Sequence, residues 1–190
     1  MPDAVPAAAP RTRDAVLRHA ARLFAQRGFR GTSVEDIGTA CGVSGPAVYK
    51  HFSSKDAILS NLLVDISEQL LSGAEQVVRE GTDPASALTG LVRFHADFAL
   101  AEPDVIRVQD RDLASLNEAD RARVRRLQRD YVELWTRVLG QCEPDLPEGD
   151  ARLRVQAVFG LLNSTPHSAA RHRTGARRQL VPMALRALRS

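Results

Sequence analysis

The chain has 190 residues, 44% hydrophobic and 26% charged, with a formal net charge of +3 at pH 7. That length and balance suit a globular protein with a real core. No apolar run reaches the length of a membrane span, no basic-then-apolar leader opens the chain, and two cysteines make neither a disulfide framework nor a zinc set, so a cytoplasmic protein without membrane partner, metal or cofactor is expected.

Residues 1–10 are rich in Ala and Pro, lack periodicity and read as a disordered tail. A helix is predicted from about Thr12 to Arg27 on the stripe Val16, Leu17, Ala20, Leu23 and Phe24, and Gly28 closes it. Ser33 with Asp36 spells a capping box. Val34, Ile37 and Ala40 give the helix behind it one apolar face, and Gly42 suits a left-handed ending. Ser44 is placed to cap a further helix with Pro46 in its first turn. That helix turns Val48 and Phe52 inward and Ala47, Tyr49, Lys50 and His51 outward. Two short helices joined by a tight turn make a helix-turn-helix for DNA.

A long helix then starts at Ser53–Asp56 and runs to about Val78 on Ile58, Leu59, Leu62, Leu63, Ile66, Leu70 and Leu71. After the break at Gly81–Pro84, a helix is predicted over about Ala85–Ala101. Pro103 opens a shorter one over Asp104–Leu116. Asn117 or Glu118 begins another, to Val138, marked by Val124, Leu127, Tyr131, Leu134, Trp135 and Val138. Asp150–Ala170 reads as a helix disturbed at Pro166, and Gly175–Arg189 as a last one with Pro182 inside. No strand pattern or internal repeat is found, so the fold is all-α.

Charge is distributed unevenly. Residues 1–60 carry Arg11, Arg13, Arg18, Arg22, Arg27, Arg30, Lys50 and Lys55 against Asp3, Asp14, Glu35, Asp36 and Asp56. The surplus of the whole chain therefore sits on the helix-turn-helix segment, and the remainder is balanced. A polyanion would be drawn to that end, with affinity falling as salt rises.

Ala21-Arg22-Leu23-Phe24, Gly28-Phe29, Thr32-Ser33-Val34-Glu35-Asp36-Ile37, Gly42-Val43-Ser44, Val48-Tyr49-Lys50-His51-Phe52 and Lys55-Asp56 together resemble TetR (tetracycline-repressor-like) transcriptional regulators. The resemblance covers the first third of the chain; the rest matches in length and helical character. Gly38 departs from it, since a small helix-former such as Ala is usual there, and Gly should weaken that helix by about 1 kcal/mol.

The resemblance implies a three-helix DNA-binding domain over residues 11–57 and a helical ligand-binding and dimerisation domain over residues 58–190. It implies that Thr32 and Ser33 hold a phosphate, that Ser44, Gly45, Pro46 and Ala47 lead the recognition helix, and that Tyr49 and His51 reach flanking phosphates. Lys50 is then expected on a phosphate or guanine edge, and Lys55 on another phosphate. It implies a homodimeric repressor on a palindromic operator, released when a small ligand swings the linking helix. Two heads must then sit roughly 34–36 Å apart, and a coupling of about 1–3 kcal/mol suffices for a switch.

Candidate ligand contacts are Phe94, His95, Phe98, Tyr131 and Trp135, although core packing is the simpler reading of each. Arg107 with Arg111, or Gln109 with Asp112, could orient a charged ligand; a solvated polar face is the competing reading. Asn163 and His167, four apart around Pro166, either line the pocket or belong to a proline kink. Such walls suit an apolar or aromatic effector, and the arginines an anionic head such as a fatty acid or acyl-CoA. Val155, Val158, Phe159, Leu162, Leu180, Met183, Ala184, Leu185 and Leu188, on the last two helices, are candidates for the dimer interface. Arg171, Arg173, Arg177 and Arg178 read as a solvated interhelical loop or a patch for acidic partners.

Rival readings are weaker. An enzyme needs a nucleophile–base pair or a metal cluster at recognisable spacing, and neither is present. An architectural dimer would not need the basic first third. A thiol-based regulator would use Cys41 and Cys142, although a small buried residue explains Cys41 more simply.

Overall fold

The computed structural model describes residues 9–168 and 173–189, with side chains described over 12–168 and 175–189. Helix α1 spans Ala9–Arg27. Ala9 and Pro10 therefore belong to a helix, not to the expected tail, whose residues 1–8 lie outside the described residues. Val16, Ala20 and Phe24 of α1 are fully buried, as their spacing requires. Gly28 ends the helix at φ 83.

Helix α2 spans Val34–Cys41 behind a complete capping box. The Asp36 N–H donates to the Ser33 hydroxyl at 3.0 Å, and Asp36 accepts from the Ser33 N–H at 2.9 Å. Gly42 closes α2 in the left-handed region. Gly38 is buried, and a Cβ there would lie 3.0 Å from the Val43 carbonyl oxygen and 3.3 Å from Gly45 N. The glycine expected only to weaken α2 also lets α2 close onto the turn. Helix α3 spans Gly45–Tyr49, with Pro46 in its first turn. Ser44 makes no side-chain cap, and Lys50 and His51 lie beyond the helix rather than on it. Val48 and Phe52 are buried as expected.

Helix α4 spans Lys55–Glu80, capped by Ser54, and links the head to the bundle. Arg13 of α1 ties the two together, donating to Asn61 Oδ1 at 2.8 Å and to Asp65 at 2.9 Å. Helix α5 spans Pro84–Ala101, α6 Pro103–Asp112 followed by a 3-10 turn Leu113–Ser115, and α7 Glu118–Cys142. Helix α8 spans Glu148–Asn163, α9 Thr165–Ser168 and α10 Arg173–Arg189. The single helix expected over 150–170 thus breaks at Ser164. Pro166 sits in the first turn of α9, where its missing N–H is tolerated. Arg177 and Arg178 lie in α10 rather than in a loop, and Arg177 pairs with Asp97 at 2.5 Å. Arg171, and the side chain of Arg173, lie outside the description.

Among the described residues the protein is all-α, with α4 packed on α5 and α7, and α8 and α10 closing the far side of the bundle. One apolar cluster joins the head to the bundle: Phe24, Ile37 and Val48 share it with Ile58 and Leu63 of α4, Val105 and Val108 of α6, and Val124 of α7. The second fills the bundle around Trp135, Leu88, Leu139, Val155, Leu162 and Leu188. Much of the apolar surface assigned to a partner is therefore internal: Val155, Val158, Leu162, Ala184 and Leu188 are fully buried, Leu180 is buried, and Phe159 packs against the same core. What α8 and α10 leave outside is Leu153, 65% exposed, and Met183, 46% exposed. The chain has no helix long and apolar enough to cross a membrane among the described residues.

Candidate nucleic-acid interface and ligand cavity

The outer edge of the head is built by α3 and the residues around it. Ser44, Pro46, Tyr49 and Lys50 are exposed, Gly45, Ala47 and His51 half-buried. Tyr49 is 49% exposed, although the inward neighbour Val48 is completely covered. An aromatic hydroxyl held outward next to a lysine, behind small residues, suits phosphate contact and close approach to base edges.

Behind that edge, two of the expected phosphate ligands serve the fold. Thr32 is 2% exposed, and its hydroxyl donates to the Gly28 carbonyl at 2.9 Å. The Lys55 ammonium donates to the carbonyls of Phe29 at 2.9 Å and Thr32 at 2.7 Å, and lies 4.5 Å from the Phe29 ring centre. Both residues therefore pin the turn that leads into α2. Ser33 is exposed but engaged with Asp36, whose carboxyl is held below its usual range by the Ser33 N–H and hydroxyl and by Arg27. Lys55→Met would strip two carbonyls of their donor. It is expected to cost about 1–3 kcal/mol in urea unfolding, whereas a purely surface lysine would cost close to nothing.

In the bundle, a partly open cavity of about 260 Å³ lies between α4, α5, α6, α7 and α8. Its apolar wall is Leu70, Phe98, Leu127, Val132 and Phe159; its polar groups are Ser67, His95, Gln109, Gln128, Tyr131 and Asn163. Of the sequence candidates, His95, Phe98, Gln109, Tyr131 and Asn163 meet there. The others go elsewhere. Phe94 covers Gly73 of α4, where no side chain would fit. Trp135 is fully buried behind the cavity, 4.9 Å from the Phe159 ring and 6.0 Å from His95. Arg107 pairs with Asp104 and donates to the Pro166 carbonyl at 2.5 Å. Arg111 pairs with Asp112 at 3.0 Å and donates to the carbonyls of Phe24 and Ala25 at the end of α1. His167 is exposed on the surface.

Sequence reasoning missed Ser67 and Gln128 as wall residues and placed Phe159 at a dimer interface. The signal for Ser67 was a lone hydroxyl between Leu63 and Leu70 on the apolar stripe of α4. It is buried and satisfied by the Leu63 carbonyl at 2.7 Å.

His95 is the polar centre. Its Nδ1 lies 3.0 Å from the Tyr131 hydroxyl and its Nε2 2.9 Å from Asn163 Oδ1. With that oxygen as acceptor, Nε2 carries the proton, and the Tyr131 hydroxyl donates to Nδ1. Burial lowers the His95 pKa from 6.5 to about 4, and pushes the Tyr131 pKa up. The imidazole is neutral in the fold, while the unfolded chain binds a proton below pH 6.5. Stability from this group is thus complete above about pH 6.5 and is lost as pH falls toward 4, a loss of roughly 3 kcal/mol. A His95→Gln variant should show a shallower fall in melting temperature over that window, read by circular dichroism. Cys41 and Cys142 belong to separate clusters, and burial pushes both thiols up, away from the reactive thiolate.

These features coincide with sequence relationships over both halves. The family model for bacterial regulatory proteins of the tetR family matches residues 16–62, and that for a tetracyclin repressor-like C-terminal domain matches residues 81–167. The chain is 32% identical over 145 residues to the HTH-type transcriptional repressor KstR2 of Mycolicibacterium smegmatis, a match covering 70% of this chain and 69% of that protein. A crystal structure of a TetR-family transcriptional regulator from Bordetella parapertussis superimposes with a TM-score of 0.84 at 25% identity over 93% of each chain. The fold is shared as well with the transcriptional regulator FadR from Bacillus subtilis in complex with stearoyl-CoA, at TM-score 0.70 and 21% identity over 92% of this chain and 96% of that one. With a helix-turn-helix head, a helical bundle and both domain models in their expected order, the chain belongs to the TetR family of DNA-binding transcriptional regulators.

Proposed function

We propose that the chain is a homodimeric repressor that binds a palindromic operator through α3 and is released by a small effector held in the bundle cavity. The observation that carries this reading is the outward presentation of Tyr49 and Lys50 beside the small leading residues of α3, within the first sixty residues, which carry a surplus of positive charge. Ser33, Ser44, Gly45, Pro46, Ala47, Tyr49, Lys50 and His51 contact DNA in this reading. Thr32 and Lys55 act from behind by holding α2 in place. Residues 11–57 form the reading head, and residues 58–190 the effector and dimer part.

The exposed faces of α8 and α10, with Leu153, Gly160 and Met183, supply the dimer contact. Two copies joined there set the separation of the heads, which must match one DNA turn. The relative KstR2 is a repressor by name, which supports repression over activation. FadR's complex with stearoyl-CoA supports an amphipathic effector such as an acyl-CoA. No observation favours a thiol switch at Cys41 and Cys142, or an enzyme. The test is selection of bound duplexes from random DNA, together with sedimentation of the free protein. A selected palindrome and a dimer mass are expected. A monomer that enriches no sequence at low salt would end the proposal.

A further inference from the structure

The cavity has a chemical bias that its volume alone does not show. Among the described lining residues none is Lys, Arg, Asp or Glu. The arginines closest in sequence to its wall residue Gln109 are already engaged: Arg107 with Asp104 and the Pro166 carbonyl, Arg111 with Asp112 and the end of α1. His95 is neutral and has both ring nitrogens bonded. Once Asn163 Oδ1 accepts from His95, the amide nitrogen of Asn163 is left as a donor to a guest beside the imidazole, with the neutral side-chain amides of Gln109 and Gln128 elsewhere on the wall. Asn163 is also the last residue of α8, where aligned carbonyls place the negative end of the helix dipole and disfavour an anion.

We infer that the cavity admits only an uncharged group: an apolar body whose single carbonyl or hydroxyl oxygen accepts from Asn163, with free carboxylic acids rejected. This rests on the cavity being the effector site. At about 260 Å³ it falls just below the range of roughly 300–1,000 Å³ for drug-sized ligands, so the guest is small, or is the acyl end of something larger. The same chemistry has two sources. One is a free neutral molecule. The other is a thioester whose carbonyl enters while its charged carrier stays in solvent. A carboxylate placed at the same spot would be a desolvated anion without a cation, which is strongly unfavourable.

Three probes with the same chain separate the cases: nonanol, nonanoate and nonanoyl-CoA, titrated into the full chain at pH 7 by calorimetry, with quenching of the lone tryptophan, Trp135, as a second readout. Nonanol or nonanoyl-CoA is expected to bind at least about 100-fold more tightly than nonanoate. Binding of nonanol identifies the free molecule as sufficient, and binding of nonanoyl-CoA alone identifies the thioester. Asn163→Leu should weaken the bound probe by about tenfold, the size of one hydrogen bond, without changing the probe order. If nonanoate binds within tenfold of the others, or tightens with proton uptake as pH falls toward 5, His95 has become an imidazolium partner and the inference is overturned while the cavity remains the effector site. If no probe binds, or if binding survives undiminished in a Leu127→Trp variant that fills the cavity, the effector site itself is elsewhere and both readings fail.

Discussion

Lys50→Glu combined with Tyr49→Ala is expected to reduce affinity for a selected operator duplex by about 1,000-fold or more while leaving the fold intact. Both side chains are exposed and make no contact that the core depends on. Replacing a lysine on a phosphate or guanine edge forfeits about 1–3 kcal/mol and sets a like charge against the polyanion. Losing the tyrosine removes a second contact of similar size. Fluorescence anisotropy over a salt series checks this. The logarithmic salt slope should fall by about one for Lys50 in each head, and thermal melting should not move. Unchanged affinity would remove α3 from the interface.

The largest stability effect is expected at the other side of the head. Phe24→Ala should cost about 3–5 kcal/mol in urea unfolding, a large share of the roughly 5–15 kcal/mol that holds an ordinary domain together. Phe24 is fully buried and packs edge-on against Phe29, with ring centres 5.4 Å apart. Its cluster also contains side chains from α2, α3, α4 and α6, so no single element can collapse into the hole. Phe24→Leu keeps most of the volume and should recover more than half of the loss. A cost under 1 kcal/mol for the alanine would mean the head is loosely packed.

The parts of this architecture that were legible in the sequence are those fixed by neighbours along the chain. The Ser33–Asp36 box, Gly28 and Gly42, and the start of α4 at Ser54 all answer to residues within four positions. The recognition helix was read too long because Val48 and Phe52 keep helical spacing even though the backbone turns after Tyr49. The hydrogen bonds of Lys55 and Arg111 were not legible for a different reason. Their partners are backbone carbonyls 23 to 87 residues away, and a carbonyl leaves no mark in a sequence.

Helix α8 posed a related ambiguity. It carries apolar residues on more than one side, so periodicity alone could not tell which of Val155, Val158 and Leu162 or Leu153 faces inward. In the cavity the aromatic and histidine candidates were readable as a group. Which of them met a void, and which filled one, depended on how five helices come together.

The apolar cluster that runs from α1 into α4, α6 and α7 has a consequence for building hybrid regulators. A cassette cut after residue 57 would leave Ile58 and Leu63 behind and strip Phe24 and Val48 of their cover. Exchange of DNA specificity between relatives should therefore succeed by repainting the outer edge of α3 on the resident scaffold, and fail when the first fifty-odd residues are swapped as a block.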